Sequence, residues 1–526
     1  MREQAFDVLR ELGMTRIFGN PGSTEIPFLT DLPADFDYVL GLHEGPVVGM
    51  ASGYALGSDA PAFVNVHTAA GLGNAVNAIV CARDNRIPLV ITVGQQDRRQ
   101  LDLQPFLTGR SLERLAGDYP VWSTQPAHPS AVPGAIARAA YEARLHRGPA
   151  LVIVPMGDWD EELEEGAGAH ASPSRLVVAP MAGGDEVHRL AALLAASSSP
   201  TLVVGAGLDS AEGWSAAVAL AERLACPVWQ DTFSSRAGFP QDHPQFAGHL
   251  PWQRSDLRNV FAGTDVVLAV GTPAFRLYLY DAGGPLVDGD TKVAVLSEDH
   301  EEVVRSVCDL GVVAAPAPVL RQLAERLARR PPVASPPDVQ PRPPADGPLR
   351  AEHLVAALAE RLPADAILVE EAPSTRPEIL ARIKTRSPLG FVAVANGALG
   401  FGLAGAVGLR MALPNRPVVA LLGDGSAMYS VHALWTAAHY GVGTVFVIVG
   451  NGRYGVMDEL ARRRGAPGAW PSFDELDLTA IATGLGCPAE RITTADELEH
   501  SLDAAFSDLA GRTAPLLLDV RVAAES

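Results

Sequence analysis

The chain has 526 residues, 48% hydrophobic and 19% charged, too many for one hydrophobic core and too apolar for a disordered chain, so two or three globular domains are expected. A formal net charge of −20 argues against a nucleic-acid surface, which needs a basic footprint. No apolar run approaches the roughly 18 residues of a membrane span. The opening Met1-Arg2-Glu3-Gln4 lacks a signal-peptide pattern, so cytoplasmic residence is the expectation.

In chain order, the first motif is the turn Phe18-Gly19-Asn20-Pro21-Gly22-Ser23 after a short strand. Leu42-His43-Glu44-Gly45 then opens a helical pattern, and a strand over 62–66 runs into His67-Thr68-Ala69-Ala70-Gly71-Leu72-Gly73-Asn74. Further apolar runs cover 89–93 and 151–154. After Pro155 an acidic stretch from Asp158 to Glu165 leads into a Gly/Ala/Ser/Pro segment ending near Ser174, a first break in the chain. Strands at 202–204, 266–270 and 293–296 follow. The first of these precedes Gly205-Ala206-Gly207-Leu208-Asp209-Ser210, a weak nucleotide signal because the third glycine is missing. The second precedes Phe275-Arg276-Leu277-Tyr278-Leu279-Tyr280-Asp281. Proline is dense from 331 to 348, which reads as an extended linker because proline cannot continue a helix or central strand.

Beyond the linker come Glu371-Ala372-Pro373-Ser374 and Asn396-Gly397-Ala398-Leu399-Gly400-Phe401. A strand over 418–422 runs into Gly423-Asp424-Gly425-Ser426, and a second, over 444–449, ends at Gly450-Asn451-Gly452-Arg453-Tyr454-Gly455. Valine-, isoleucine- and leucine-rich runs alternating with helical patterns predict parallel strands buried on both faces. The predicted fold class is α/β, with three doubly wound parallel-sheet domains over 1–165, 175–330 and 349–526 and a linker over 331–348.

Asp424 and Asn451 stand 27 positions apart, each just past a predicted strand, where open α/β sheets bind ligands. A carboxylate and an amide oxygen are hard donors suited to a magnesium ion that also takes phosphate oxygens. The neighbouring glycines let a backbone approach a diphosphate in front of a helix N-terminus. Taken alone, the GDGS run is equally well a plain strand-to-helix turn. Cys81, Cys226, Cys308 and Cys487 have no metal-ligand or redox spacing and are expected as free thiols. Lys292 and Lys384 are the two lysines, and nothing around either suggests Schiff-base chemistry.

These motifs resemble those of thiamine-diphosphate-dependent enzymes over essentially the whole chain. With Trp435-Thr436-Ala437-Ala438 they are most similar to the benzoylformate decarboxylases. The resemblance implies pyrimidine-binding, middle and diphosphate-binding domains, and thiamine diphosphate with Mg2+ as cofactors. It further implies non-oxidative decarboxylation of a small 2-oxo acid, with a homodimer as minimum unit and a homotetramer as the usual assembly. By the same resemblance, Glu44 bonds the cofactor's aminopyrimidine and passes it a proton. Asp424, the Asn451 side chain and the Arg453 carbonyl hold the metal. Ser374, Gly397, Leu399, Gly425, Ser426, Asn451, Tyr454 and Gly455 contact the cofactor, with Leu399 as the wedge that bends it. Ser23 contacts the substrate carboxylate, and His67 moves protons, as an imidazole can near neutral pH. Tyr278, Met457 and Leu460 join Ser23 and His67 around the substrate.

Three departures from the family pattern bear on the expected activity. Tyr278 stands where a second catalytic histidine is usual, and a phenol is the poorer proton shuttle near neutral pH. Gly450 replaces the first of two asparagines, and Pro373 a hydroxyl residue. The competing expectations are a carboligase of the acetolactate-synthase type, joining the decarboxylated acyl unit to an acceptor aldehyde, and a binding protein that keeps the fold without chemistry.

Overall fold

The computed structural model describes residues 1–163, 183–332, 341–344 and 347–523. The Gly/Ala/Ser/Pro segment to Ser174, with the bounds at 165 and 175, and most of the proline-rich stretch lie outside the described residues. Within the described residues, eighteen strands form three six-stranded sheets, and every pairing inside them is parallel.

The first sheet contains β1 (Arg16–Asn20), β2 (Asp37–Leu40), β3 (Ala62–Val66), β4 (Leu89–Gln95), β5 (Trp122–Thr124) and β6 (Pro149–Pro155), in the order β2-β1-β3-β4-β6-β5. The middle sheet contains β7 (Pro200–Val204), β8 (Val228–Gln230), β9 (Phe246–His249), β10 (Val266–Val270), β11 (Lys292–Ser297) and β12 (Leu310–Val313), ordered β12-β11-β10-β7-β8-β9. The third contains β13 (Ile367–Glu371), β14 (Phe391–Val392), β15 (Val418–Gly423), β16 (Val445–Gly450), β17 (Ala489–Ile492) and β18 (Leu516–Arg521), ordered β14-β13-β15-β16-β18-β17. The first and third sheets therefore share one topology. The middle sheet, read from its other edge, runs 3-2-1-4-5-6, the order of dinucleotide-binding folds.

All eight apolar runs singled out in the sequence fall in interior strands: β3, β4, β6, β7, β10, β11, β15 and β16. The six edge strands are only two to four residues long. An edge strand has one neighbour, and a short edge limits unwanted pairing, so none carries a run of apolar residues that stands out.

The first and third domains share a continuous core in which Val47, Met50 and Ala51 pack with Leu403, Ala404 and Val407. Its centre is the crossing of helix Glu44–Ser58 with helix Gly402–Ala412. A Cβ on Gly53 would lie 2.0 Å from the Gly405 carbonyl oxygen, and one on Gly408 1.8 Å from that of Met50. Only hydrogen at these positions allows the two backbones to touch. Helix Glu44–Ser58 is buried along most of its length, which explains why its sequence is apolar on all sides rather than striped. Among the described residues no helix is long and apolar enough to cross a membrane.

Candidate active site

The chain doubles back at β1/β3 in the first sheet and at β13/β15 in the third. Loops leaving the C-terminal ends of such strand pairs frame a crevice. Gly22-Ser23 follows β1, His67 follows β3, Ser374 follows β13 and Asp424 follows β15.

In the third domain Asp424 begins the short helix Asp424–Met428. Its carboxylate is buried, accepts the Gly425 N–H at 2.8 Å and the Gly452 N–H at 2.7 Å, and has no ion-pair partner among the described residues. Burial pushes this carboxyl above the usual range, with the two backbone donors acting the other way. Asn451 Oδ1 accepts the Arg453 N–H at 3.1 Å. Ser374 Oγ accepts the Val456 N–H at 3.0 Å, which pins the loop after β13 to the helix Gly455–Arg463. Glycines keep the space between these loops open. A Cβ on Gly425 would sit 2.6 Å from the Tyr454 ring, and one on Gly455 3.0 Å from Ser374 Oγ. A buried carboxylate without a cationic partner, an amide oxygen and open backbone around them make a donor set that fits magnesium and a diphosphate. Among the described residues no group of three or more His, Cys, Asp or Glu could hold a metal; this set differs in using one carboxylate, one amide and backbone.

Gly397 has φ +73°, and Leu399 is half-buried with its carbonyl accepting Asn77 Nδ2 at 2.9 Å. The loop bearing both is held by Glu371, at the end of β13. The Glu371 carboxylate accepts the N–H groups of Gly400, Phe401 and Gly402 at 2.8, 2.9 and 2.7 Å. Burial pushes it up to about 7, against those three donors. Glu371 opens the Glu371-Ala372-Pro373-Ser374 run, but its role is not legible there; its one signal is an acidic pair, Glu370-Glu371, closing an apolar strand.

In the first domain Glu44 is the first residue of its helix, and the preceding His43 caps it by accepting the Gly45 N–H. Glu44 is buried and accepts Asn74 Nδ2 at 3.0 Å, with Gly71 leaving room beside its other oxygen. His67 precedes helix Thr68–Asp84. Its Nδ1 lies 2.9 Å from both Glu25 Oε2 and Thr24 Oγ1. Glu25 is buried and also accepts the Gly22 N–H and the Thr24 hydroxyl. A carboxylate at Nδ1 keeps the proton on that nitrogen and leaves Nε2 as the free acceptor. A Cβ on Gly22 would fall 2.3 Å from the imidazole, so the Ser23 turn stacks on His67 only because that position is glycine. Thr68, buried and β-branched, is held at φ +36°, local strain of the kind found at functional sites. Ser23 is exposed. Glu25 and Thr24 were also missed from sequence, where they look like ordinary turn residues after Ser23.

The middle domain presents Tyr278, which is 53% exposed. Met457 is exposed and Leu460 half-buried on helix Gly455–Arg463, none of whose residues is buried. At the β7/β10 crevice of this domain the loops fill their own space. A Cβ on Gly207 would lie 2.6 Å from Gly271 Cα, and one on Gly205 2.5 Å from Thr272.

The structure thus forms two groups at two sheet edges: Ser23, Glu44 and His67 in the first domain, and Ser374, Asp424, Asn451, Arg453, Tyr454 and Gly455 with Gly425 and Ser426 in the third. No hydrogen bond or ion pair among the described residues joins Glu44 or His67 to Asp424 or Asn451 within one chain.

Comparison with known proteins places this architecture. Residues 1–113 match the N-terminal thiamine pyrophosphate-binding domain of thiamine pyrophosphate enzymes, residues 187–323 their central domain, and residues 378–520 their C-terminal thiamine pyrophosphate-binding domain. The chain belongs to the thiamine pyrophosphate enzyme family. It is 39% identical over 523 residues to a benzoylformate decarboxylase of Pseudomonas aeruginosa, covering 98% of this chain and 97% of that one. A 4-hydroxybenzoylformate decarboxylase of Rhodococcus jostii superposes with a TM-score of 0.94 at 34% identity, covering 100% of this chain and 99% of the other. A benzoylformate decarboxylase of Polynucleobacter necessarius gives 0.93 at 34% identity, covering 100% and 98%.

Proposed function

We propose that this enzyme decarboxylates a 2-oxo acid with an aromatic or bulky aliphatic acyl group, non-oxidatively, using thiamine diphosphate and Mg2+. The buried Asp424 carboxylate, tied to Gly452 and without an ion-pair partner among the described residues, carries the proposal, and the full-length similarity to benzoylformate decarboxylases supports the reaction class. Thiamine diphosphate, when bound, supplies a site that accepts the electrons left behind as carbon dioxide departs.

The chain's own residues bind, orient and move protons. Asp424, the Asn451 side-chain oxygen and the Arg453 carbonyl hold the metal. Ser374, Gly425, Ser426, Tyr454 and Gly455 take the diphosphate. Gly397 and Leu399 receive the other end of the cofactor on the loop that Glu371 clamps. Glu44 holds a proton at the aminopyrimidine ring. Ser23 bonds the substrate carboxylate, and His67, oriented through Nδ1 by Glu25, moves protons at Nε2. Tyr278, Met457 and Leu460 line the acyl pocket.

Following the family resemblance, we assign the complete site to two subunits, in a homodimer or homotetramer; among the described residues no hydrogen bond or ion pair joins Glu44 to Asp424 within one chain. The four cysteines are free, consistent with a cytoplasmic enzyme. The domain bounds proposed are 1–165, 175–330 and 349–526. The self-filled crevice of the middle domain favours a decarboxylase over a carboligase that keeps a flavin there.

The test is product analysis with thiamine diphosphate and Mg2+, over a panel of 2-oxo acids with and without an acceptor aldehyde. Aldehyde and carbon dioxide are the expected products. Hydroxyketone as the sole product would replace the proposal with carboligation, and no turnover of any acid would refute it.

A further inference from the structure

Two aromatic rings on the middle domain, Trp252 and Phe233, pack against Tyr278 and have no role in the chemistry above. Phe275 sits at φ +60°, a left-handed backbone that a bulky residue rarely adopts. The bend is locked from outside: the Asp231 carboxylate accepts Thr272 Oγ1 at 2.7 Å and Arg276 Nε at 2.8 Å. It turns the loop so that Tyr278 meets the Trp252 ring edge-on, with centroids 5.6 Å apart at 81°, and the Phe233 ring at 6.4 Å.

The Trp252 ring and the backbone beside Phe233 are both held by the third domain, at the elements that carry the proposed cofactor and pocket residues. The Thr232 carbonyl, next to Phe233, accepts Arg376 Nη2 at 3.0 Å, two residues beyond Ser374. The Arg463 guanidinium lies 5.4 Å over the Trp252 ring, from the helix that bears Met457 and Leu460. That helix is itself fastened to Ser374 through Val456. Tyr278 is thus braced from behind while half its surface stays open.

We propose that Trp252 and Phe233 hold Tyr278 as one wall of the acyl pocket and so set how strongly the pocket favours an aryl over an alkyl acyl group; the inference rests on the decarboxylase function proposed above. A ring edge or face held in place meets another ring with an electrostatic preference that an alkyl chain does not share. Trp252 is a positioning residue: without it the Tyr278 ring loses its edge-on support and the preference for an aryl group declines.

The experiment compares kcat and KM for benzoylformate and for a straight-chain aliphatic 2-oxo acid in the holoenzyme, its Trp252→Leu and Phe233→Leu variants, and Trp252→Phe. Melting temperatures establish that each variant is folded. Trp252→Leu is expected to lower the aryl-to-alkyl ratio of kcat/KM roughly three- to tenfold, mainly through KM for the aryl acid, and Trp252→Phe to restore most of it. Phe233→Leu shifts the ratio in the same direction. If the ratio holds in both leucine variants while turnover persists, the wall is refuted and the decarboxylase function stands. If the wild type turns over no 2-oxo acid, the decarboxylase function falls and this inference with it.

Discussion

Replacing Glu371 by glutamine tests how the loop carrying Gly397 and Leu399 is held. The wild-type carboxyl is shifted from 4.5 to about 7, chiefly by burial. Because the folded value lies above the unfolded one, the native state binds the extra proton between those pH values. Native stability therefore falls as pH rises from about 4.5 to about 7 and is level beyond. At about 1.4 kcal/mol per pH unit, the span amounts to about 3 kcal/mol. Glutamine has no such titration. It also has one acceptor oxygen for the three donors Gly400, Phe401 and Gly402, so at least one N–H faces an amide NH2, at a cost of about 1–3 kcal/mol. The wild-type advantage over Glu371→Gln should thus be largest near pH 5 and shrink, or reverse, by pH 8. Urea unfolding at a series of pH values measures the difference, and hydrogen-exchange protection of the Gly400–Gly402 amides localises it. A stability difference that does not change between pH 5 and 8, or that grows with pH, would refute the reasoning.

Other outcomes follow from the geometry. Asp424→Asn removes the charge from the proposed metal ligand and should weaken binding of thiamine diphosphate with Mg2+ by roughly 100-fold, on the about 3 kcal/mol scale of a charged hydrogen-bonded contact; isothermal titration reads it. Stripping the wild type with a chelator should abolish activity, and added Mg2+ should restore it. His67→Ala should lower kcat by about 10²–10⁴ while cofactor affinity, measured by the same titration, stays near wild type. Gly53→Ala would put a methyl 2.0 Å from the Gly405 carbonyl. It should destabilise the junction of the first and third domains by about 1–3 kcal/mol, seen as a lower melting temperature.

What the sequence determined by itself was local. Eight of the twelve interior strands announced themselves because burial on both faces demands unbroken apolar runs, and the Gly423–Ser426 and Gly450–Gly455 loops did so because glycine marks where a backbone must approach something closely. The Asp424–Asn451 spacing was legible for the same reason, since each motif directly follows its strand. Strand order was not legible: the first and third sheets share a topology that the middle sheet lacks, and no single strand encodes which neighbour it takes. Nor could the chain reveal that Glu25 faces His67 across 42 positions, that Glu371 collects three backbone donors 29 to 31 residues away, or that Arg463 covers Trp252. In each case the partner is brought in by packing between elements distant in the chain, so the residue's meaning lies in a contact that only the tertiary structure creates.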